Sequence, residues 1–367
     1  TPGHPEVDVK RGIENTSGPL GQGHTMGVGA AIAAKFLQAR FGNWMNHKIY
    51  GFISDGGVQE EISQGAGRIA GHLGLSNFIM FFDSNDIQLS TPTDEVTSED
   101  TAMKYKAWGW NVVTIDGHNH DEIRKALTDA NNETERPTLI IGRTIMGKGA
   151  VAADGSMFEG HCELHGQPIG HTGADYTKTL LNLGADPEKP FEIFDEVSTF
   201  YKDLLKRKTA NAAEKKAKIN DWRKDNNALA DKLDFFLSGE LPELDFSSIE
   251  HKPGLASRAA SSGVLGYLAE HVENMIVSSA DLSNSDKTDI ALHGGIIPVV
   301  ATFFVFSDYM KPAIRLSGIQ ELPVKYVWTH DAFRVGEDGP THQPVEQEAQ
   351  LRLLEKLKNH SGNPSFL

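Results

Sequence analysis

The stretch IYGFISDGG at residues 49–57, followed by NFIMFFDSNDI at residues 77–87, decides the fold. Each is a short apolar run that closes on acidic and turn-forming residues, the pattern of a buried strand opening into a loop. Around them the period changes. GVGAAIAAKFLQARF at residues 27–41 carries small and apolar residues at helical spacing, and a second helical stretch runs from the Gln-Glu-Glu segment through Ala70. Asn111 to Asp116 and Thr138 to Arg143 repeat the strand pattern, separated by helical stretches. Strands alternating with helices predict an α/β fold, a parallel sheet with helices on both faces.

Beyond Pro190 the pattern shifts to long helices rich in Lys, Glu and Ala, with Phe200, Leu204, Ile219, Trp222, Leu229 and Leu233 as the expected buried stripe. A second α/β region begins near Arg258, with strands expected at Met275 to Ser279, Ile297 to Phe304 and Val324 to Thr329. The expected division is an α/β domain over residues 1–190, a helical connection over 191–253 and a second α/β domain over 254–367. The chain of 367 residues is long enough to bury more than one core.

Composition narrows the function. A formal net charge of -15 opposes the long-range attraction that nucleic acid or an anionic membrane would need, so neither is an expected partner. No apolar run approaches the roughly 20 residues of a membrane span, and Thr1 to Lys10 lack the features of a secretory signal. The single cysteine, Cys162, fits a reducing compartment, and the cytoplasm is the expectation. The Lys206 to Lys218 run alternates with acids and alanines, as a solvated helix face does.

In a parallel sheet the two quoted strands end at one edge, where ligands bind. Asp55 would bring a carboxylate, Asn85 an amide oxygen and Ile87 a backbone carbonyl. These hard oxygen donors suit an octahedral Mg²⁺ that keeps positions for diphosphate oxygens and water. Gly56 and Gly57 let backbone N–H groups approach phosphates unobstructed. An Asp-Gly pair alone is usually only a turn; the Asn at this spacing, also at a strand end, gives the reading weight.

That spacing resembles the thiamine-diphosphate binding motif, in which Ser54 stands where glycine is usual. TPGHPE at 1–6, GPLGQG at 18–23, SDGGVQEE at 54–61, HGQP at 165–168, SADL at 279–282, THD at 329–331 and GEDGPTH at 336–342 resemble transketolase motifs in the family's order. The resemblance implies thiamine diphosphate with Mg²⁺ or Ca²⁺ as cofactors, sugar phosphates as substrates and a homodimer with sites between subunits. It places His4 at the substrate, Gly18 and Leu20 at the pyrimidine, and Asp55, Asn85 and Ile87 on the metal. By the same resemblance His165 meets both diphosphate and substrate, Asp281 lies in the cofactor pocket, and Phe303, Phe306 and Tyr309 wall the aminopyrimidine. Arg258, Ser285 and His330 grip the substrate phosphate, a role suited to a forked guanidinium. Asp338 recognises a sugar hydroxyl, and His342 exchanges protons with substrate oxygens.

The implied activity is transfer of a two-carbon ketol unit from a ketose phosphate to an aldose phosphate. Dihydroxyacetone synthase and deoxyxylulose phosphate synthase share the GEDGPTH stretch, but residues 1–6 and the Arg258, Ser285 and His330 set favour transketolase. The resemblance also implies three gaps. One is a stretch before residue 1 with further histidines, and another is a third domain after Leu367. The last is a segment between Asp289 and Ile290 bearing the glutamate that protonates the aminopyrimidine. Neither Glu273 nor Glu321 is a candidate to replace it, so an inactive cofactor-binding homologue is the rival reading.

Overall fold

In the computed structural model, which describes residues 6–279, 283–291, 297–331 and 339–365, the alternating pattern becomes two separate parallel sheets. The first joins β1 (Ile49–Ser54), β2 (Phe78–Ser84), β3 (Asn111–Asp116) and β4 (Thr138–Arg143) in the order β1-β2-β4-β3. The second joins β5 (Met275–Ser279), β6 (Ile297–Phe303) and β7 (Lys325–Thr329) in sequence order. Every pairing is parallel. The helices are α1 (Gln22–Phe41), α2 (Asp55–Gln59), α3 (Glu61–His72), α4 (Thr101–Ala107), α5 (His120–Asn132), α6 (Tyr176–Asn182), α7 (Asp195–Asp225), α8 (Asn227–Ser238), α9 (Ser257–His271), α10 (Ser283–Asp286), α11 (Lys311–Ile319) and α12 (Gln347–Leu354).

Two compact units result: Leu20–Lys35 with Gly42–Asn227, and the described residues of Thr1–Pro19, Phe36–Phe41 and Ala228–Leu367. In the first, the pleat sends alternate residues to opposite faces. Phe78, Met80, Phe82, Leu139 and Ile141 pack with Val28 and Ala31 of α1 and Ala66 and Ala70 of α3. Ile79, Ile140 and Ile115 face Ala126 and Ala130 of α5. Fully burying each large side chain of this kind is worth about 1.5–3 kcal/mol, so these two layers hold the strand tips in register. α1 approaches the sheet so closely that a Cβ on Gly27 would lie 2.7 Å from the Phe78 ring. The outer strand β1 is covered less well: Phe52 is 84% exposed.

The second unit has its own core of Leu265, Val272, Met275, Val277, Ala291 and Val299. The helical stretch after residue 190 corrects one expectation. α7 has no buried residue; Phe200 and Leu229 are exposed, and Leu204, Ile219 and Trp222 are half-buried. Only Leu233, on α8, is fully buried. The cause is the dense charge of α7, which leaves too little contiguous apolar surface to require a covering layer. Among the described residues, no helix is long and apolar enough to cross a membrane.

Candidate functional site

The β1–β2 register pairs Ser54 with Asp83, so both strands run out at one edge of the first sheet. Ser54 caps α2, its hydroxyl accepting the Gly57 N–H at 3.3 Å, and this turns the chain so that Asp55 lies buried at the strand tip. The Asp55 carboxylate accepts the N–H of Asn85 at 3.0 Å, and the Asn85 amide oxygen accepts the N–H of Ile87 at 3.0 Å. The three expected metal-binding residues therefore form one hydrogen-bonded relay across two strand tips. Burial pushes the Asp55 carboxyl up to about 6; the Asn85 N–H opposes this, and Asp86 and Asp83 nearby reinforce it.

Asp55 lines a cleft of about 460 Å³ together with Gln59, Ser84, Asp86, Asp94 and Arg143. The excess of acid there favours a cation. Among the described residues, no group of three or more His, Cys, Asp or Glu side chains converges to hold a metal. One carboxylate, one amide oxygen and one carbonyl fit a cation that takes its remaining oxygens from a phosphate ligand and water. The donor set thus fits the implied group.

Sequence reasoning missed Arg143 and Asp86. Arg143 ends β4, in register with Ser84, and its guanidinium donates to the Ser84 hydroxyl at 3.0 Å and to Asp86 at 3.1 Å. A basic residue at a third strand end was the available signal. Asp86 adopts a φ of 62°, a left-handed turn that only its contacts reveal. Leu20, 54% exposed, lies beside Gly56: a Cβ at Gly56 would stand 3.5 Å from the Leu20 side chain. Gly18 has open space around its Cα. His165 follows a short 3-10 segment with Nδ1 buried and, among the described residues, lacking a hydrogen-bond partner. No hydrogen bond among the described residues ties it to Asp55, Asn85 or Ile87.

The second unit gathers another set at the C-terminal ends of β6 and β7. The His330 ring, on a residue with φ 54°, stacks on Phe303 with ring centres 3.5 Å apart. Arg258 Nη1 lies 3.4 Å from His330 Nε2 and donates to the Ser285 carbonyl at 3.4 Å. A guanidinium only donates, so His330 Nε2 is the acceptor and Nδ1 carries the proton toward the Thr329 hydroxyl at 3.0 Å. Phe306 stacks on Phe303 at 5.9 Å and on Tyr309 at 6.1 Å, and meets His342 edge-on at 5.2 Å. Tyr309 is exposed. His4, Asp281 and Asp338 lie outside the described residues.

Residues 1–242 match the family model described as transketolase, thiamine diphosphate binding domain, and residues 289–361 match transketolase, pyrimidine binding domain. The transketolase of Staphylococcus epidermidis is 36% identical over 400 aligned residues, covering 97% of this chain and 59% of the relative. That of Halalkalibacterium halodurans is 37% identical over 412, covering 100% and 60%. Among solved structures, transketolase from Leishmania mexicana superposes with a TM-score of 0.86 at 30% identity, covering 96% of this chain and 58% of that one. The Campylobacter jejuni transketolase gives 0.82 at 33%, with the same coverage. The chain spans about 59% of the length of the curated relatives it matches. With both of its family domains matched in order, the chain belongs to the transketolase family.

Proposed function

We propose that this chain supplies the diphosphate and pyrimidine sites of a transketolase acting on sugar phosphates in the cytoplasmic pentose phosphate pathway, as a homodimer. Residues 1–190 would serve the diphosphate and metal, 191–253 the connection, and 254–367 the pyrimidine. The observation that carries this reading is the Asp55–Asn85–Ile87 relay, a hard-oxygen donor set at a sheet edge, in a chain matched by the family's cofactor-binding domains.

Asp55, Asn85 and the Ile87 carbonyl would hold Mg²⁺ or Ca²⁺, with Gly56 leaving the approach to phosphate open. Leu20, Gly18, Asp281, Phe303, Phe306 and Tyr309 would hold the pyrimidine. Thiamine diphosphate, when bound, supplies the carbon nucleophile and the electron sink for cleaving the bond beside a ketose carbonyl. The remaining work belongs to the protein. Arg258, held by the Ser285 carbonyl and by His330 Nε2, would present its remaining guanidinium donors to a substrate phosphate, with His330 fixing its position. At His342 the Thr341 hydroxyl engages Nδ1 at 2.8 Å, which leaves Nε2 to exchange protons with substrate oxygens. His4, His165 and Asp338 would orient the sugar hydroxyls.

A second reading, an inactive cofactor binder, is favoured by the two glutamates weighed above. Glu273 is paired with Arg40 at 2.6 Å and Lys232 at 2.8 Å, and Glu321 accepts the Ser361 N–H at 3.1 Å. Both are committed elsewhere. The match to the Staphylococcus relative also runs over 400 positions against a chain of 367, so the aligned span holds positions without a counterpart here.

Ketol transfer from xylulose 5-phosphate to ribose 5-phosphate, assayed with Mg²⁺ and thiamine diphosphate, separates the readings. Turnover supports the first; metal-dependent cofactor binding without turnover supports the second. Undiminished metal-dependent binding after Asp55→Ala and Asn85→Ala would overturn both.

A further inference from the structure

Gln347, the first residue of α12, is 1% exposed, so its amide is withdrawn from water. Its Nε2 lies 3.3 Å from one carboxylate oxygen of Asp308 and 3.2 Å from the other. Asp308 also pairs with Lys311 at 2.5 Å, and the Lys311 and Gln347 contacts hold its carboxyl below the ordinary range, so it faces Gln347 ionised. A carboxylate accepts only, which forces the NH₂ group toward Asp308 and the amide oxygen away from it. Among the described residues that oxygen is buried without a hydrogen-bond partner, as is the hydroxyl of Ser307, which precedes Asp308.

A buried acceptor left unpaired costs stability. An apolar side chain of Gln347's size would avoid that cost, and Asp308 would keep Lys311. Stability therefore does not explain the amide. Its two ends of contact do. Asp308 sits two residues beyond Phe306, in the 3-10 segment Phe304–Met310. Gln347 sits five residues beyond His342, which closes the segment Pro340–His342. The Phe306 and His342 rings meet edge-on at 5.2 Å, so the ring contact and the Asp308–Gln347 contact clamp the same pair of segments at two points.

We infer that Gln347 is a positioning residue: by gripping Asp308 it sets the Phe306–His342 geometry, and with it the pyrimidine pocket of the proposed site. The pocket half rests on the function proposed above. The geometric half does not.

Three variants test it in the purified protein: Gln347→Met, which removes the amide at similar volume; Gln347→Glu, which sets two carboxylates face to face; and the pair Asp308→Asn with Gln347→Glu, which restores a donor opposite a carboxylate. The first readout is the NMR shift of the His342 ring protons without cofactor, governed by the ring current of Phe306. The second is the dissociation constant for thiamine diphosphate with Mg²⁺. Gln347→Met is expected to move the His342 shift and weaken cofactor binding on the order of tenfold with little change in melting temperature, since angular errors in a supporting contact are transmitted to the site. Gln347→Glu is expected to do more, and the pair to recover most of the loss. An unmoved His342 shift in Gln347→Met, or a pair no better than Gln347→Glu alone, overturns the inference. If the unsubstituted protein binds no thiamine diphosphate, the proposed function fails, while the His342 shifts still decide the role of Gln347.

Discussion

The carboxylate of Asp55 and the backbone N–H of Asn85 are joined at 3.0 Å across the tips of two parallel strands, with the Asp55 end buried and the Asn85 end partly exposed. Burial raises the Asp55 carboxyl to about 6 in the metal-free protein. A cation needs the ionised form. Cofactor affinity in the presence of Mg²⁺ is therefore expected to climb as pH rises through about 6 and to level off above it. Asp55→Asn should lower that affinity and flatten its pH dependence together, which calorimetry across this range would reveal.

The close fit of α3 against the loop before β3 makes a second prediction. A Cβ at Gly71 would fall 1.8 Å from the Trp108 carbonyl oxygen, and Trp110 donates its indole N–H to the Gly67 carbonyl at 2.8 Å one turn earlier. No flexible side-chain end is there to give way; the obstacle is backbone. Gly71→Ala should destabilise the protein by about 3 kcal/mol or more, at the upper end of overpacking effects. Gly29→Ala, on α1 with no heavy atom within 4 Å of its Cβ, should be tolerated. Thermal melts of the two variants make the comparison.

Much of this architecture was legible because it is local. A run such as NFIMFFD at residues 77–83 must be buried wherever it goes, and the turn residues after it mark where the strand opens. The same locality made Asp55 and Asn85 readable. Contacts between distant residues were not. Arg143 reaches Ser84 and Asp86 only because β4 inserts between β2 and β3, and no spacing along the chain encodes that strand order. Gln347 and Asp308 are 39 positions apart and of residue types common on surfaces. The stripe expected on α7 failed for a related reason. Periodicity states which residues could share a face, while burial depends on whether another element comes to cover it.

Arg258 offers a test of the substrate side. A single nitrogen of its guanidinium, Nη1, reaches both the Ser285 carbonyl and His330, each at 3.4 Å, and the planar fork carries further donors for a phosphate that a compact ammonium engaged in the same two contacts would not. Arg258→Lys should raise KM for phosphorylated ketose and aldose about tenfold or more while leaving thiamine diphosphate affinity near its original value. Steady-state kinetics with a phosphorylated and a non-phosphorylated acceptor would show the difference, the latter being little affected.

His24 and Asp55 set opposite pH dependences within the same unit. His24 is 5% exposed, boxed by Phe78, Tyr105 and Trp110, with Nδ1 at 3.1 Å from the Ser63 hydroxyl; burial pushes it down to about 4 from 6.5. Between those values the unfolded chain takes a proton that the folded one refuses, so the stability due to neutral His24 is present above 6.5 and lost as pH falls toward 4. Asp55 behaves in reverse. Its folded value of about 6 exceeds the unfolded 3.8, so the fold keeps a proton the unfolded chain releases, and that stability is lost as pH rises through 6. Each contribution approaches about 1.4 kcal/mol per pH unit inside its window, and the windows overlap with opposite sign. The metal-free protein should therefore show a nearly flat stability profile between about pH 4 and 6 from these two groups. Relative to the unsubstituted protein, Asp55→Asn should add a slope of stability rising with pH and His24→Phe a slope falling with pH, and urea unfolding of the three proteins across that range would expose the opposition or refute it.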